Sequence, residues 1–161
     1  MSTSHMFCLM FFIIRIWRKE KHLEECPVHF FSTHFYPWLL EEGGLGRVSS
    51  WTAQKNIDVF RKKWIFIPIN HRYTHWSFCC VVNPGFILNN VEALKKDPRD
   101  DEPYPCILYF DSMSGHAKET LVCNVQKWLN SEWRRLEKAT NQNESEPFND
   151  SSLPVHNPKG E

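Results

Sequence analysis

Two residues of complementary chemistry, a histidine and an aspartate, stand at the ends of predicted strands. His75 opens the run HWSFCCVV, and Asp111 closes the run CILYFD. Because the start of one strand can lie beside the end of an antiparallel neighbour, we expect the imidazole to reach the carboxylate. An aspartate that accepts the Nδ1 proton leaves Nε2 able to take a proton from a nucleophile, as in a catalytic triad. The simpler alternative is that both side chains are solvated strand ends.

Three apolar runs and one amphipathic run supply the elements that must position this pair. Residues 64–69 (WIFIPI) are apolar in succession, as in a strand covered on both faces. His75–Val82 is a second strand, and the short link before it predicts an antiparallel pair. Residues 106–111 form a third strand, and apolar residues at helical spacing within residues 115–136 predict a long helix. Helices combined with a short apolar sheet indicate an α+β fold.

Upstream of the strands the pattern predicts a helix, a glycine break and a connector. The helix begins near Ser32, whose hydroxyl can cap it, and runs to Leu40. The glycine-rich segment 43–46 ends the helix. A connector that includes residues 49–52 then leads to a short amphipathic turn or helix at residues 57–60.

Residues 6–17 (MFCLMFFIIRIW) are nearly all apolar. Such a run can be the core of a signal peptide, a membrane span or a buried helix. Arg15 interrupts the run, no basic segment precedes it, and charged residues rather than a cleavage site follow it. We therefore expect a buried core helix and no membrane association.

The composition changes toward the end of the chain. The segment TNQNESEPFNDSSLPVHNPKGE is rich in Asn, Ser, Glu and Pro, and its apolar residues Phe148, Leu153 and Val155 are isolated. This composition is typical of disorder, because it offers little apolar surface to bury. We expect one domain in residues 1–137 and a disordered polar tail in residues 138–161.

Composition and charge exclude several classes of function. A chain of 161 residues with 42% hydrophobic and 24% charged residues is typical of one globular domain. The 19 basic and 19 acidic side chains balance, so no global positive field would draw nucleic acid to the protein. The six cysteines form no CxxC pair, and His71 and His75 lack a third ligand at useful spacing. We therefore expect no metal and no cofactor.

Two longer sequence segments resemble those of a known protease family. WIFIPINHRYTHWSFCCVVNPG and, further along, CILYFDSMSG resemble the ubiquitin-like-protein-specific cysteine proteases, the SUMO (sentrin) proteases of the papain-like superfamily. Upstream, FFSTHFY and RVSSWT resemble segments of the branch that edits SUMO chains, so the resemblance covers residues 30–136. The match is close at Pro68, Asn70, His75, Trp76, Asp111 and Ser112.

The resemblance implies an incomplete Ulp-type papain-like domain with N-terminal helices, part of a mixed central sheet and one long amphipathic helix. It implies that His75 is the general base, that Asp111 orients it, and that Trp76 roofs a narrow tunnel for the Gly-Gly tail of SUMO. For Trp76 the alternative is an ordinary core position. The implied partners are SUMO and SUMO-conjugated proteins. The implied location is nuclear or cytoplasmic, and the family favours the nucleus.

The chain departs from the family where the nucleophile is due. The family closes its triad with a Q-x-x-x-x-x-D-C-G motif, whose glutamine helps form the oxyanion hole and whose cysteine is the nucleophile. Here the last cysteine is Cys123, and Gln142 is the one glutamine in residues 138–161. We expect a truncated or degenerate copy without peptidase activity. We also expect it to expose apolar surface on strand 64–69 and on the helix within residues 115–136.

Three hypotheses of different classes remain open. The chain is an incomplete SUMO isopeptidase, a pseudoprotease module that keeps part of a SUMO-docking surface without chemistry, or a nonfunctional product of a truncated transcript. A nucleotide sequence downstream of codon 161 that encodes a Q…DCG motif would favour the first hypothesis, and the absence of such a sequence would favour the other two.

Overall fold

The computed structural model describes residues 26–71, 75–89, 104–111, 118–136 and 146–157. The predicted helix at residues 6–17 and Ser112 lie outside the described residues. Within the described ranges, no helix has the length and apolar character needed to cross a membrane. The elements in chain order are β1 (Val28–Phe30), α1 (Phe35–Leu39), α2 (Gly44–Gln54), a 3₁₀ turn (Val59–Arg61), β2 (Trp64–His71), β3 (His75–Val82), α3 (Pro84–Asn89), β4 (Cys106–Phe110), α4 (Lys118–Arg135) and β5 (Val155–His156).

The five strands form one mixed sheet in the order β1-β2-β3-β4-β5. Strands β2 and β3 form an antiparallel hairpin that runs from Trp64 opposite Val82 to His71 opposite His75. Strand β4 is antiparallel to β3, whereas β1 and β5 are parallel to β2 and β4 at the two edges. The three predicted strands and the α+β class are confirmed, and the edge strands β1 and β5 are additions that the pattern did not predict.

Alternation along the strands divides the sheet into a buried face and a second face. The buried face packs against α4, where Val125, Trp128 and Leu129 have no exposed surface. The expectation of exposed apolar surface on β2 and α4 is wrong, because the helix covers the isoleucines of the strand. The second face carries half-buried aromatic and aliphatic residues around three buried ones. The apolar residues of the buried face are Ile65, Ile67, Ile69, Cys79, Val81, Ile107 and Tyr109.

The glycine-rich segment begins α2, so the prediction of a helix end at residues 43–46 followed by a connector that includes residues 49–52 is wrong. Gly43 precedes α2 with a φ of 70°, a left-handed conformation that suits glycine. A Cβ atom on Gly44 would lie 2.3 Å from the carbonyl oxygen of Trp38, so only glycine allows α1 and α2 to approach this closely. The glycines are needed at a tight corner between two helices, and the pattern alone reads them as a helix end.

The segment after α4 is packed, so the prediction of a disordered tail is wrong for residues 146–157. Phe148 is 2% exposed and Leu153 is fully buried, and both belong to the main core. The buried side chain of Asn130 on α4 binds the backbone of Phe148 twice, accepting from its N–H at 3.1 Å and donating to its carbonyl at 3.0 Å. Two apolar anchors and this pair of hydrogen bonds hold a segment whose overall composition is polar.

Candidate active site

The antiparallel pairing of β3 with β4 brings His75 and Asp111 to the same end of the sheet. His75 is the first residue of β3, and Asp111 directly follows β4. The register places Phe78 opposite Phe110, and its continuation places Ser77 opposite Asp111. Since residues two apart on a strand share a face, His75 and Asp111 are diagonal neighbours on the buried face.

The imidazole of His75 and the carboxylate of Asp111 are in direct contact. Nε2 of His75 lies 2.5 Å from Oδ1 of Asp111, and the two side chains are 14% and 4% exposed. The predicted proximity is confirmed, whereas the predicted nitrogen is wrong, because Nε2 and not Nδ1 faces the carboxylate.

The second oxygen of Asp111 is held by a tyrosine two residues earlier on β4. The Tyr109 hydroxyl donates to Oδ2 of Asp111 at 2.9 Å and lies 3.2 Å from Oγ of Ser77. Burial, with a smaller contribution from the neighbouring Asp111, raises the pKa of Tyr109 to about 12, against the lowering effect of the Ser77 hydrogen bond. The phenol therefore remains protonated at neutral pH and can donate to the carboxylate.

His71 completes this polar group from the end of β2. Its Nε2 atom lies 2.6 Å from Oγ of Ser77, and its ring stacks on that of His75 with centroids 5.7 Å apart. His71 is half-buried and is the last residue of β2. In the part of the chain that the structure describes, no group of three or more His, Cys, Asp or Glu side chains is arranged to hold a metal ion.

A histidine and aspartate in contact at the ends of two strands is an arrangement found in many unrelated proteins, so comparison with known sequences decides the family. Residues 1–155 match the family model described as the Ulp1 protease family, C-terminal catalytic domain. The chain belongs to the Ulp1 protease family. The resemblance noted in the sequence and the Ulp1-type papain-like fold that it implied are thereby confirmed.

Two curated relatives and one solved structure illustrate the similarity. The chain is 30% identical over 162 residues to the probable ubiquitin-like-specific protease 2A of Arabidopsis thaliana, covering 94% of this chain and 20% of the relative. It is 43% identical over 100 residues to human sentrin-specific protease 2, covering 61% of this chain and 12% of the relative. A crystal structure of a de-sumoylating protease superposes with a TM-score of 0.63 at 26% identity. The chain thus spans a fifth or less of these relatives, and 48% of the solved structure.

Trp76 of this Ulp1-family chain lies at the same end of the sheet as His75 but not on the same face. It stands opposite Asn70 on the second face, and it is half-buried. Alternation along β3 separates the two neighbouring side chains, although both begin the same strand. The structure therefore brings His75 and Asp111 into contact and places Trp76 at the same end of the sheet but on the second face.

The strand cysteines of this Ulp1-family chain are unsuited to act as the nucleophile. Burial raises the pKa of Cys79 far above its ordinary value and that of Cys80 to about 12, with smaller contributions from the neighbouring thiols. Burial also raises the pKa of Cys106. Nucleophilic cysteines require a lowered pKa. Cys79 is also four residues from His75 on one strand, roughly 13 Å along the backbone, which is beyond the reach of a proton transfer.

Proposed function

We propose that this chain supplies the general base and its orienting carboxylate to a SUMO-specific cysteine isopeptidase, which hydrolyses the bond after the C-terminal Gly-Gly of SUMO. The observation that carries the proposal is the 2.5 Å contact between Nε2 of His75 and Oδ1 of Asp111 in a chain of the Ulp1 protease family. The described cysteines of the sheet do not fit the nucleophile. We therefore propose that the nucleophile and the oxyanion donor are supplied from outside this chain.

We assign a distinct task to each atom of the pair. Because Nε2 of His75 faces Asp111, Nδ1 is the nitrogen that exchanges a proton with the nucleophilic thiol. The thiol transfers its proton to Nδ1, and the thiolate attacks the carbonyl carbon of the terminal glycine of SUMO. The imidazolium then donates this proton to the departing lysine amine, and water hydrolyses the resulting thioester. Asp111, which is 4% exposed, stabilises the imidazolium throughout these steps.

Trp76 is the residue of this chain that we assign to the SUMO tail. It begins β3 next to His75, so a peptide that crosses the end of the sheet toward the imidazole passes the indole. The flat indole face can pack against a backbone that carries no side chains, and a Gly-Gly tail is such a backbone. Substrate residues larger than glycine at the last two positions would clash with the indole ring of Trp76, so this contact would select for a Gly-Gly tail.

The substrate assignment is tested by titrating the chain with SUMO while the indole N–H signals of the seven tryptophans are followed by NMR. A Trp76→Phe variant identifies the Trp76 signal. We expect this signal to shift with SUMO, and to shift little with SUMO that lacks the Gly-Gly tail or with ubiquitin. Trp51, which packs against Trp38 on the helices, is the internal control. A Trp76 signal that ignores SUMO, or responds equally to tailless SUMO, would contradict the assignment.

A further inference from the structure

Both oxygens of the Asp111 carboxylate make polar contacts with neighbouring side chains. Oδ1 faces Nε2 of His75 at 2.5 Å, and Oδ2 accepts from the Tyr109 hydroxyl at 2.9 Å. Tyr109 is 3% exposed, and its ring belongs to the main core. Since packing on all sides fixes the ring, the position of its hydroxyl is fixed as well.

We propose that Tyr109 is a positioning residue for the candidate catalytic pair, holding the Asp111 carboxylate in the orientation that directs Oδ1 at His75. This proposal rests on the function proposed above. A hydrogen bond from a rigid donor restricts the rotation of a carboxylate about its terminal torsion and so helps to set the plane of the group. The contact is also charge-assisted, so it is stronger than a bond between two neutral groups.

Ser77 and His71 extend the support for Tyr109 away from the pair. The Tyr109 hydroxyl carries one proton, which is donated to the carboxylate, so its oxygen accepts from the Ser77 hydroxyl at 3.2 Å. The Ser77 oxygen in turn lies 2.6 Å from Nε2 of His71 and accepts from it in the tautomer with the proton on that nitrogen. Donors from three strands thus form a directed chain that ends on Asp111, and each bond in such a chain polarises the next.

A purely structural role for the Tyr109 hydroxyl makes a different prediction. If its hydrogen bonds only satisfied a buried hydroxyl, removing that hydroxyl would change stability and leave the ring of His75 unaffected. If it positions Asp111, removing it loosens the bond between Asp111 and His75. The His75 ring reports on that bond directly, without any catalytic reaction.

The experiment measures the ring nitrogens and the Nε2 proton of His75 by NMR in the full chain, with His75→Gln identifying its signals. In the parent chain we expect the proton to reside on Nε2 and to exchange slowly with water. In Tyr109→Phe, whose amide spectrum reports the fold, we expect exchange about tenfold faster or more, together with population of the Nδ1 tautomer. Tyr104→Phe removes a hydroxyl from the residue two positions before β4, and is the matched control that should leave His75 unchanged.

Ser77→Ala provides a second variant that retains both members of the pair and Tyr109. We expect it to accelerate exchange in the same direction by a smaller factor, and it decides the matter if Tyr109→Phe does not fold. A folded Tyr109→Phe chain with the parent His75 signals would overturn the proposal, and so would parent-like exchange in Ser77→Ala when the first variant is unfolded. If the His75 signals change in Tyr109→Phe but the parent chain does not bind SUMO, the positioning role of Tyr109 stands and only the proposed function is contradicted.

Discussion

The hydroxyl of Thr52 on α2 donates to the carboxylate of Glu132 on α4, 2.9 Å from Oε1, and the two residues are 80 positions apart in the chain. Both side chains are fully buried. Arg135 binds the same carboxylate through two nitrogens, with the shorter distance of 2.7 Å to Oε2. The bond thus fastens α2, which precedes the sheet, to the helix that covers it, and the charge of Glu132 depends on Arg135 for its balance.

Replacement of Arg135 by alanine should therefore destabilise the fold. It leaves a buried carboxylate without its cation, which we expect to lower the free energy of unfolding by about 3 kcal/mol. The matched control is Arg134→Ala on the same turn. Arg134 pairs with Glu146 where both side chains are about half exposed, so its loss should cost under about 1 kcal/mol. Urea unfolding of both variants measures the difference, and equal costs would contradict a buried ion pair at Glu132.

Replacement of Phe148 by alanine tests whether residues 146–157 are part of the core. Phe148 is 2% exposed and stacks on Phe60 with ring centroids 5.4 Å apart. Deleting such a ring leaves a cavity, so we expect the unfolding free energy to fall by about 3 to 4 kcal/mol. Ser151→Ala, at an exposed position of the same segment, should change it by less than about 0.5 kcal/mol. A negligible cost for Phe148→Ala would indicate that the segment is not packed.

Stability should decrease at alkaline pH because of Tyr109. Its pKa is raised to about 12 in the folded chain from an ordinary value of 10.0. Between these values the unfolded chain has released the proton and the folded chain retains it, so the free energy of unfolding falls as the pH rises. The stabilising contribution is complete below about pH 10. Chemical unfolding at a series of pH values should show a shallower decline for Tyr109→Phe than for the parent chain, and identical slopes would argue against a buried phenol.

The chain alone should not react with a SUMO molecule that carries a C-terminal electrophile. Cys79, Cys80 and Cys106 are held as neutral thiols by burial. Cys79 and Cys80 lie four and five residues beyond His75 on β3, and Cys106 lies opposite Val82 at the other end of that strand. Mass spectrometry of the mixture should show no covalent adduct. An adduct on a cysteine that disappears in His75→Ala would refute this expectation and reveal a nucleophile elsewhere in the chain.

Strand alternation explains the features of the site that the sequence predicts, and tertiary contacts explain those that it does not. The apolar runs gave β3 its observed bounds, and antiparallel pairing placed His75 beside Asp111. The same alternation places the side chains of Tyr109 and Asp111 on one face of the sheet, so the sequence also indicates that these two side chains are neighbours. Which imidazole nitrogen faces Asp111 depends on the orientation of the His75 ring in the folded chain, which no pattern of residue types encodes.

Misread segments share a physical cause. Gly44 is required because two helix ends approach closely, and Phe148 is held in the core by hydrogen bonds from its backbone to Asn130 on the preceding helix α4. Local composition reports the first as a helix end and the second as part of a disordered tail. In both cases a packing contact between two elements overrides the local preference.

The central claim is that His75 and Asp111 act as the base and orienting carboxylate of a SUMO protease. The most direct measurement is the kcat/KM for cleavage of a SUMO conjugate by a chimera, in which this chain replaces the matching segment of human sentrin-specific protease 2. We expect the chimera to cleave the conjugate, and His75→Ala or Asp111→Asn to reduce kcat/KM by about 10²-fold or more. His34→Ala, at an exposed position, should stay within about twofold of the chimera. Parent-like cleavage by the His75→Ala chimera would contradict the claim.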